Sequence, residues 1–148
     1  MPRFNLVLDK EIEVRQKKQA EEILVFPITL KNIGQNTAIN MRLEPIFEDG
    51  TSTHYARTDN LHGEIHGISD YINKQYAMVG ETINFTLVCN KHDKALNVYF
   101  KIKFNDIDGR TYKQDFHFEY CYPISNKFSM SNSSENPVCI ENNNGFIN

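Results

Sequence analysis

Three stretches of the chain hold residue types whose spacing could do chemistry. His62-Gly63-Glu64-Ile65-His66 sets two imidazoles four residues apart, the separation at which one helix face could present both to a zinc ion with Glu64 beside them. Gly63 and Gly67 make that helix poor, and Gly63 occupies the slot directly after the first histidine where a metalloprotease carries its glutamate. The stretch therefore reads as a polar loop. Asn105-Asp106-Ile107-Asp108-Gly109 has the acidic alternation of a calcium loop, but such a loop needs an oxygen ligand two residues before Asp106, where Phe104 stands. Cys89 is a nucleophile by type. It alternates with Phe85 and Leu87, as a small buried hydrophobe does, and His92 and His117 are candidate bases in name only. There is no Gly-rich phosphate loop, nucleophile elbow or paired-carboxylate motif. No catalytic, cofactor or metal residue is assigned, and no enzyme is expected.

Recognition chemistry is better represented. His54, Tyr55, Arg57, Tyr71 and Tyr76 populate an irregular middle segment, and rings with hydrogen-bonding ends suit binding when a rigid scaffold presents them on loops. A second group lies on a strand face. Lys101 and Lys103 point outward from one strand, and Lys113, Asp115, His117 and Glu119 point outward from the next. Tyr99 shares that face, where Tyr99 and Lys101 could stack on a ligand or a partner. These seven residues, His54, Tyr55, Arg57, Tyr71, Tyr76, Tyr99 and Lys101, form the candidate binding set.

The elements that must position them are strands. Phe4-Leu6-Leu8 and Ile12-Val14 alternate in two pieces, as a broken first strand would. The polar run Gln16–Glu22 reads as a solvated connection. Leu24, Phe26, Ile28 and Leu30 share one face of a strand over 23–33, with Pro27 favouring an edge or a bulge. A turn at Asn32–Asn36 then leads to a strand over 37–47 with Ile39, Met41 and Leu43 on its apolar side, closed by a turn at 48–51. Residues 51–80 are expected to hold one or two short strands, with room for one helical turn, within an otherwise irregular stretch. Ile83, Phe85, Leu87 and Cys89 face inward over 82–89. Residues 96–105 and 110–120 form a hairpin, with Val98, Phe100, Ile102 and Phe104 facing Phe116, Phe118 and Tyr120, because Asp108-Gly109 allows the positive φ of a tight turn. Ser- and Asn-rich residues 125–148 read as a flexible tail, with Val138-Cys139-Ile140 as a short docking strand. About seven short strands with regular turn signals predict an all-β antiparallel sandwich over 1–124, with a small β-barrel as the alternative.

Composition narrows the function classes. A net charge of −3 over 148 residues lacks the basic footprint of a nucleic-acid binder. Three cysteines, Cys89, Cys121 and Cys139, with no CxxC spacing, fit neither a disulfide framework nor a cysteine-built zinc site. Reduced thiols point to a cytoplasmic setting. No apolar run reaches the roughly 18 residues of a membrane span, so no membrane insertion is expected. The soluble part of a membrane-anchored parent would read the same way.

Phe26-Pro27-Ile28-Thr29-Leu30-Lys31-Asn32-Ile33-Gly34, followed by Thr37-Ala38, resembles a strand–turn–strand pattern of bacterial immunoglobulin-like modules. Asn105-Asp106-Ile107-Asp108-Gly109-Arg110, with Tyr112 following, is similar to the hairpin of their last two strands. The resemblance spans 23–120 and rests on turn residues. It implies an immunoglobulin-like sandwich serving as an adhesion, spacer or accessory domain, often within a membrane-associated protein, and carries over nothing catalytic. The expected function is a non-catalytic interaction module with a protein partner. The alternative is a β-domain that senses a small molecule or nucleotide, which a closed barrel with a polar-lined pocket would favour. A filled core with an exposed aromatic patch would favour the interaction module.

Overall fold

The computed structural model describes residues 1–16, 22–44, 46–48, 52–54, 56–58, 64–68, 74–90, 97–120 and 124–142. They hold thirteen strands and no helix: β1 (Phe4–Val7), β2 (Glu13–Gln16), β3 (Glu22–Asn32), β4 (Ile39–Leu43), β5 (Ile46–Glu48), β6 (Ser52–His54), β7 (Ala56–Thr58), β8 (Glu64–Ile68), β9 (Thr82–Asn90), β10 (Asn97–Asn105), β11 (Arg110–Tyr120), β12 (Phe128–Ser134) and β13 (Val138–Asn142). Among the described residues, accordingly, no helix is long and apolar enough to cross a membrane. All pairings are antiparallel. The hydrogen-bonded path runs β1-β3-β9-β8-β7-β10-β11-β12, with β2 added to β3, β4 to β10 and β13 to β11, while β5 and β6 pair separately.

The period-2 alternation dictates how this path folds. Leu24, Phe26, Ile28 and Leu30 of β3 and Ile83, Phe85 and Leu87 of β9 are buried on one side; Val98, Phe100, Ile102 and Phe104 of β10 and Phe116, Phe118 and Tyr120 of β11 are buried on the other. Two apolar faces of this size must cover each other. They do so as a sandwich, with Phe26 meeting Phe118 at 5.4 Å and Tyr120 at 5.0 Å, Phe85 meeting Phe100 at 5.7 Å and Phe4 meeting Phe104 at 5.3 Å between ring centroids. The sandwich is the architecture the alternation predicts, although its strands are more numerous and several are only three residues long.

The two layers are joined differently at their two sides. On one side β8 pairs with β7, so the backbone ladder passes from layer to layer. On the other, β1 and β12 meet through side chains. Buried Gln114 of β11 donates from Nε2 to the carbonyls of Phe4 (2.6 Å) and Glu135 (2.8 Å), and its Oε1 accepts the Phe4 N–H at 2.9 Å. Ser134 Oγ accepts the Leu6 N–H at 2.9 Å. Because side chains replace a ladder here, the sheet does not close into a barrel.

Five local expectations are resolved by this topology. The broken first strand is β1 and β2, both lying along β3. Pro27 occupies neither an edge nor a bulge. β3 is central, pairing with β9 without interruption through Pro27, while the opposite side pairs with β1 from Thr29 onward and with β2 up to Val25. Ile33 N–H reaches Arg3 on the β1 side, and alternation points Pro27's missing N–H the same way, into the gap between β1 and β2. The strands over 23–33 and 37–47 do not pair with each other: β3 pairs with β9 and β4 with β10, so the Asn32–Asn36 segment carries the chain across the sandwich. Asn40 has φ of 52°, which breaks the alternation of β4, so Met41 and Leu43 are buried while Ile39, expected with them, is exposed. The docking strand expected at Val138–Ile140 is present as β13. The stretch before it, expected as a tail from 125, forms β12, so that both extend the second layer, while 143–148 lie outside the described residues. β12 and β13 both pair with β11, with Glu135, Asn136 and Pro137 bulging between them over Gln114. Composition hid β12 because its FSMSNSS run is dominated by serine and asparagine and shows no sustained apolar alternation.

The segment over 51–80 holds β6, β7 and β8, and the helical turn considered there is absent from its described residues. Of the polar connection expected over 16–22, Gln16 ends β2 and Glu22 begins β3 as cross-strand partners, and of the turn expected at 48–51, Glu48 ends β5; 17–21 and 49–51 lie outside the described residues.

Candidate functional site

At one end of the sandwich, the Asn32–Asn36 segment is built around the side chain of Asn32, which is fully buried. Its Nδ2 donates to the carbonyls of Asn36 (2.9 Å) and Ala77 (3.0 Å), and its Oδ1 accepts the Gly34 N–H at 3.0 Å. Its backbone N–H and carbonyl hold Glu81 and Gly80. A Cβ on Gly34 would lie 2.4 Å from the Met1 carbonyl oxygen and 2.5 Å from the Arg3 nitrogen, so only glycine lets the segment Met1–Arg3 pass on its way into β1. Five polar groups that water would otherwise compete for are thereby fixed away from it.

That hub clamps the next piece of chain. Ala38 and Ala77 exchange both backbone hydrogen bonds at 3.0 Å, and both are buried. Alternation turns their neighbours Ile39, Tyr76 and Met78 outward. The chain then reverses at Met78–Glu81, where the Glu81 N–H donates to the Met78 carbonyl at 2.9 Å and Gly80 takes φ of 86°. Glu81 latches the turn: Oε1 accepts the Met78 N–H at 3.0 Å and Oε2 accepts Lys74 Nζ at 2.6 Å. The Lys74 hydrogen bond first, and the Met78 N–H second, hold the Glu81 carboxyl below its ordinary range. Lys74 also sits over the Tyr76 ring, 5.5 Å from its centroid. The result is a fixed ridge on which Tyr76, Met78 and Val79 are each slightly more than half exposed, flanked by exposed Ile33 and Ile39.

A second arrangement occupies the outer face of the second layer. Tyr99 stacks on His117 with centroids 4.7 Å apart, and His117 Nε2 shares a 2.6 Å hydrogen bond with Asn97 Oδ1. Lys101 lies 3.9 Å from Asp115, and Lys103 lies 3.2 Å from Glu44. Lys103 is opposite Lys113 on one side and Arg42 on the other, so three cations stand in register across β4, β10 and β11.

Of the seven candidate residues, the structure brings Tyr99 and Lys101 together on this face, with the backbone of Arg57 opposite Tyr99. Tyr76 stands on the ridge. The backbone of His54 ends β6 opposite Ile46, and Tyr55 and Tyr71 lie outside the described residues. Sequence reasoning missed Ile33, Ile39, Met78 and Val79 as exposed apolar neighbours. The Met78-Val79-Gly80 run was the available signal, two apolar residues placed directly at a turn glycine. His62 lies outside the described residues, and Glu64 and His66 fall on β8, whose side chains lie outside them. The Cys89 side chain and Cys121 also lie outside, and Cys139 is a free, exposed thiol on β13. Asp106–Arg110 is the expected hairpin turn. No protein-family model, curated protein or solved structure matches the chain.

Proposed function

We propose that the chain is a non-catalytic, immunoglobulin-like interaction module that contacts another protein through the Tyr76–Glu81 ridge. The observation that carries this reading is the exposure of Tyr76, Met78 and Val79 on a turn held by Glu81, Lys74 and the Asn32 hub. Solvent-exposed apolar side chains clustered on a rigid support mark interaction surfaces. A turn already fixed by five hydrogen bonds loses little further freedom when a partner covers it, which favours binding. The turn residues Asn32, Gly34, Asp106 and Gly109 support the likeness to immunoglobulin-like modules. An interior filled by Phe26, Phe85, Phe100, Phe116 and Phe118, inside a sheet that stays open, supports an interaction module over a ligand-enclosing sensor.

The test is chemical crosslinking in the native cells followed by isolation of the tagged chain, with the wild type beside a Tyr76→Ser, Met78→Ser variant. A protein recovered with the wild type and lost with the variant is the expected result. Recovery with both moves the contact off the ridge. Recovery with neither, together with a small molecule retained in the native mass spectrum, replaces this reading with the sensor.

A further inference from the structure

We propose that the ridge and the cation row form one surface, and that its occupant is an acidic peptide segment carrying an apolar anchor. This rests on the interaction-module reading and names the chemistry of the partner. The two features meet on β4. Ile39 of the ridge is opposite Asn105 of β10, and Asn105 is two residues from Lys103 on the same outward face. Asn40 and Asn105 tie the junction through a 3.0 Å side-chain hydrogen bond. Exposed apolar groups therefore continue, without a layer boundary, into Arg42, Lys103 and Lys113.

The charges identify the occupant. Like charges directly opposite one another across strands are destabilising, and here two such pairs share Lys103. Glu44 answers Lys103 and Asp115 answers Lys101, but among the described residues no carboxylate is paired with Arg42 or Lys113. An acidic partner would complete that row. A second copy is a poor occupant, because a twofold contact would set this cation row against its own copy. The aromatic and aliphatic side chains of the ridge call for an apolar anchor on the same partner, since charge alone steers an encounter and a desolvated anchor holds it.

Selection of a displayed random dodecapeptide library on the immobilised full chain tests this. The expected outcome is enrichment of peptides that combine Asp or Glu with Leu, Phe or Trp. Synthetic copies should bind about tenfold more weakly to Lys103→Glu, Lys113→Glu and to Tyr76→Ser, Met78→Ser proteins, and more weakly as salt is raised. Unchanged thermal unfolding of both variants shows that they fold. Neutral or basic peptides lost only with the ridge variant would overturn the acidic assignment and leave the interaction module standing. Peptides indifferent to both variants, or no enrichment, would overturn the proposal together with the ridge as a contact surface. Sedimentation with phosphatidylserine-containing vesicles in place of peptide binding would assign the surface to an anionic membrane.

Discussion

The turns at Asp106–Arg110 and Met78–Glu81 are assembled from the same parts and set in different surroundings. In each, a carboxylate accepts a backbone N–H within the turn, a glycine takes φ of 86°, a cation holds the carboxylate's other oxygen, and an aliphatic side chain stands exposed at the tip. Asp106 is buried. Its Oδ1 accepts the N–H groups of Asp108 (3.0 Å) and Arg110 (2.9 Å), while Oδ2 accepts the Tyr112 hydroxyl at 3.3 Å and faces the Arg110 guanidinium at 3.4 Å. The Glu81 side chain remains 32% exposed. Burial makes the first latch part of the fold. Exposure leaves the second as a support for whatever its tip presents.

The comparison breaks if the two latches cost the same to remove. Asp106→Ala strips the acceptor from two backbone amides and a buried phenol at once, and leaves them without water to replace it. About 3 kcal/mol of stability should be lost, read from the urea midpoint at constant m. A loss near zero would mean that water reaches Asp106 and that the turn is held by Gly109 alone. Gly80→Ala sharpens the other side. An added Cβ at Gly80 meets nothing within 4 Å, so its cost is backbone strain only. About 1 kcal/mol is expected, with Gly80→Asn costing less because asparagine tolerates the left-handed region.

Tyr112 reports on the buried latch from a second direction. Burial first, and the neighbouring Asp106 carboxylate second, push its hydroxyl above the ordinary phenol value. A raised folded value means that this contribution is complete below the unfolded pKa of about 10 and declines as pH rises through the folded one. The wild type should therefore lose stability above about pH 10, and Tyr112→Phe should flatten that alkaline limb while costing about 1 kcal/mol at neutral pH through the lost hydrogen bond. A parallel decline in both proteins would place the alkaline sensitivity elsewhere.

What was legible in the sequence follows from how local each feature is. Asp106 to Gly109 names its own turn, because the residue that needs positive φ and the acceptor that caps the amides are three positions apart. The inward faces of β3, β9, β10 and β11 were legible for the same reason, since alternation is a property of neighbours. The Met78–Glu81 turn was not: Gly80 was visible, but its latch depends on Lys74 and its platform on Asn32, more than forty residues away in sequence. Asn32 itself reads as an ordinary turn residue, and only the return of Ala77 to its Nδ2 makes it a hub. Gln114 was hidden by its type, a polar residue on the buried face of β11, because its three backbone partners come from the two ends of the described chain. The candidate site was legible at Tyr76, Tyr99 and Lys101 as surface aromatics and charges, while the apolar neighbours that make a ridge of Tyr76 depend on the kink at Asn40 and the bridge from Ala38 to Ala77.

Glu81→Gln is the smallest expected effect and the closest test of the exposed latch. The amide can still accept the Met78 N–H, but it carries no charge for Lys74. The folded Glu81 value lies below the unfolded one, so what its charge contributes is present above the ordinary glutamate range, about pH 4.3, and is lost as pH falls through the folded value. The Met78 amide proton, followed by NMR from neutral pH downward, should therefore titrate with a midpoint below that range in the wild type and stay flat in Glu81→Gln. The urea midpoints of the two proteins should agree at neutral pH, because an exposed ion pair contributes little to global stability. If Glu81→Gln instead lowered the midpoint as far as Asp106→Ala, the ridge would be part of the folding core, and its apolar side chains would have to be explained as packing rather than as a surface offered to a partner.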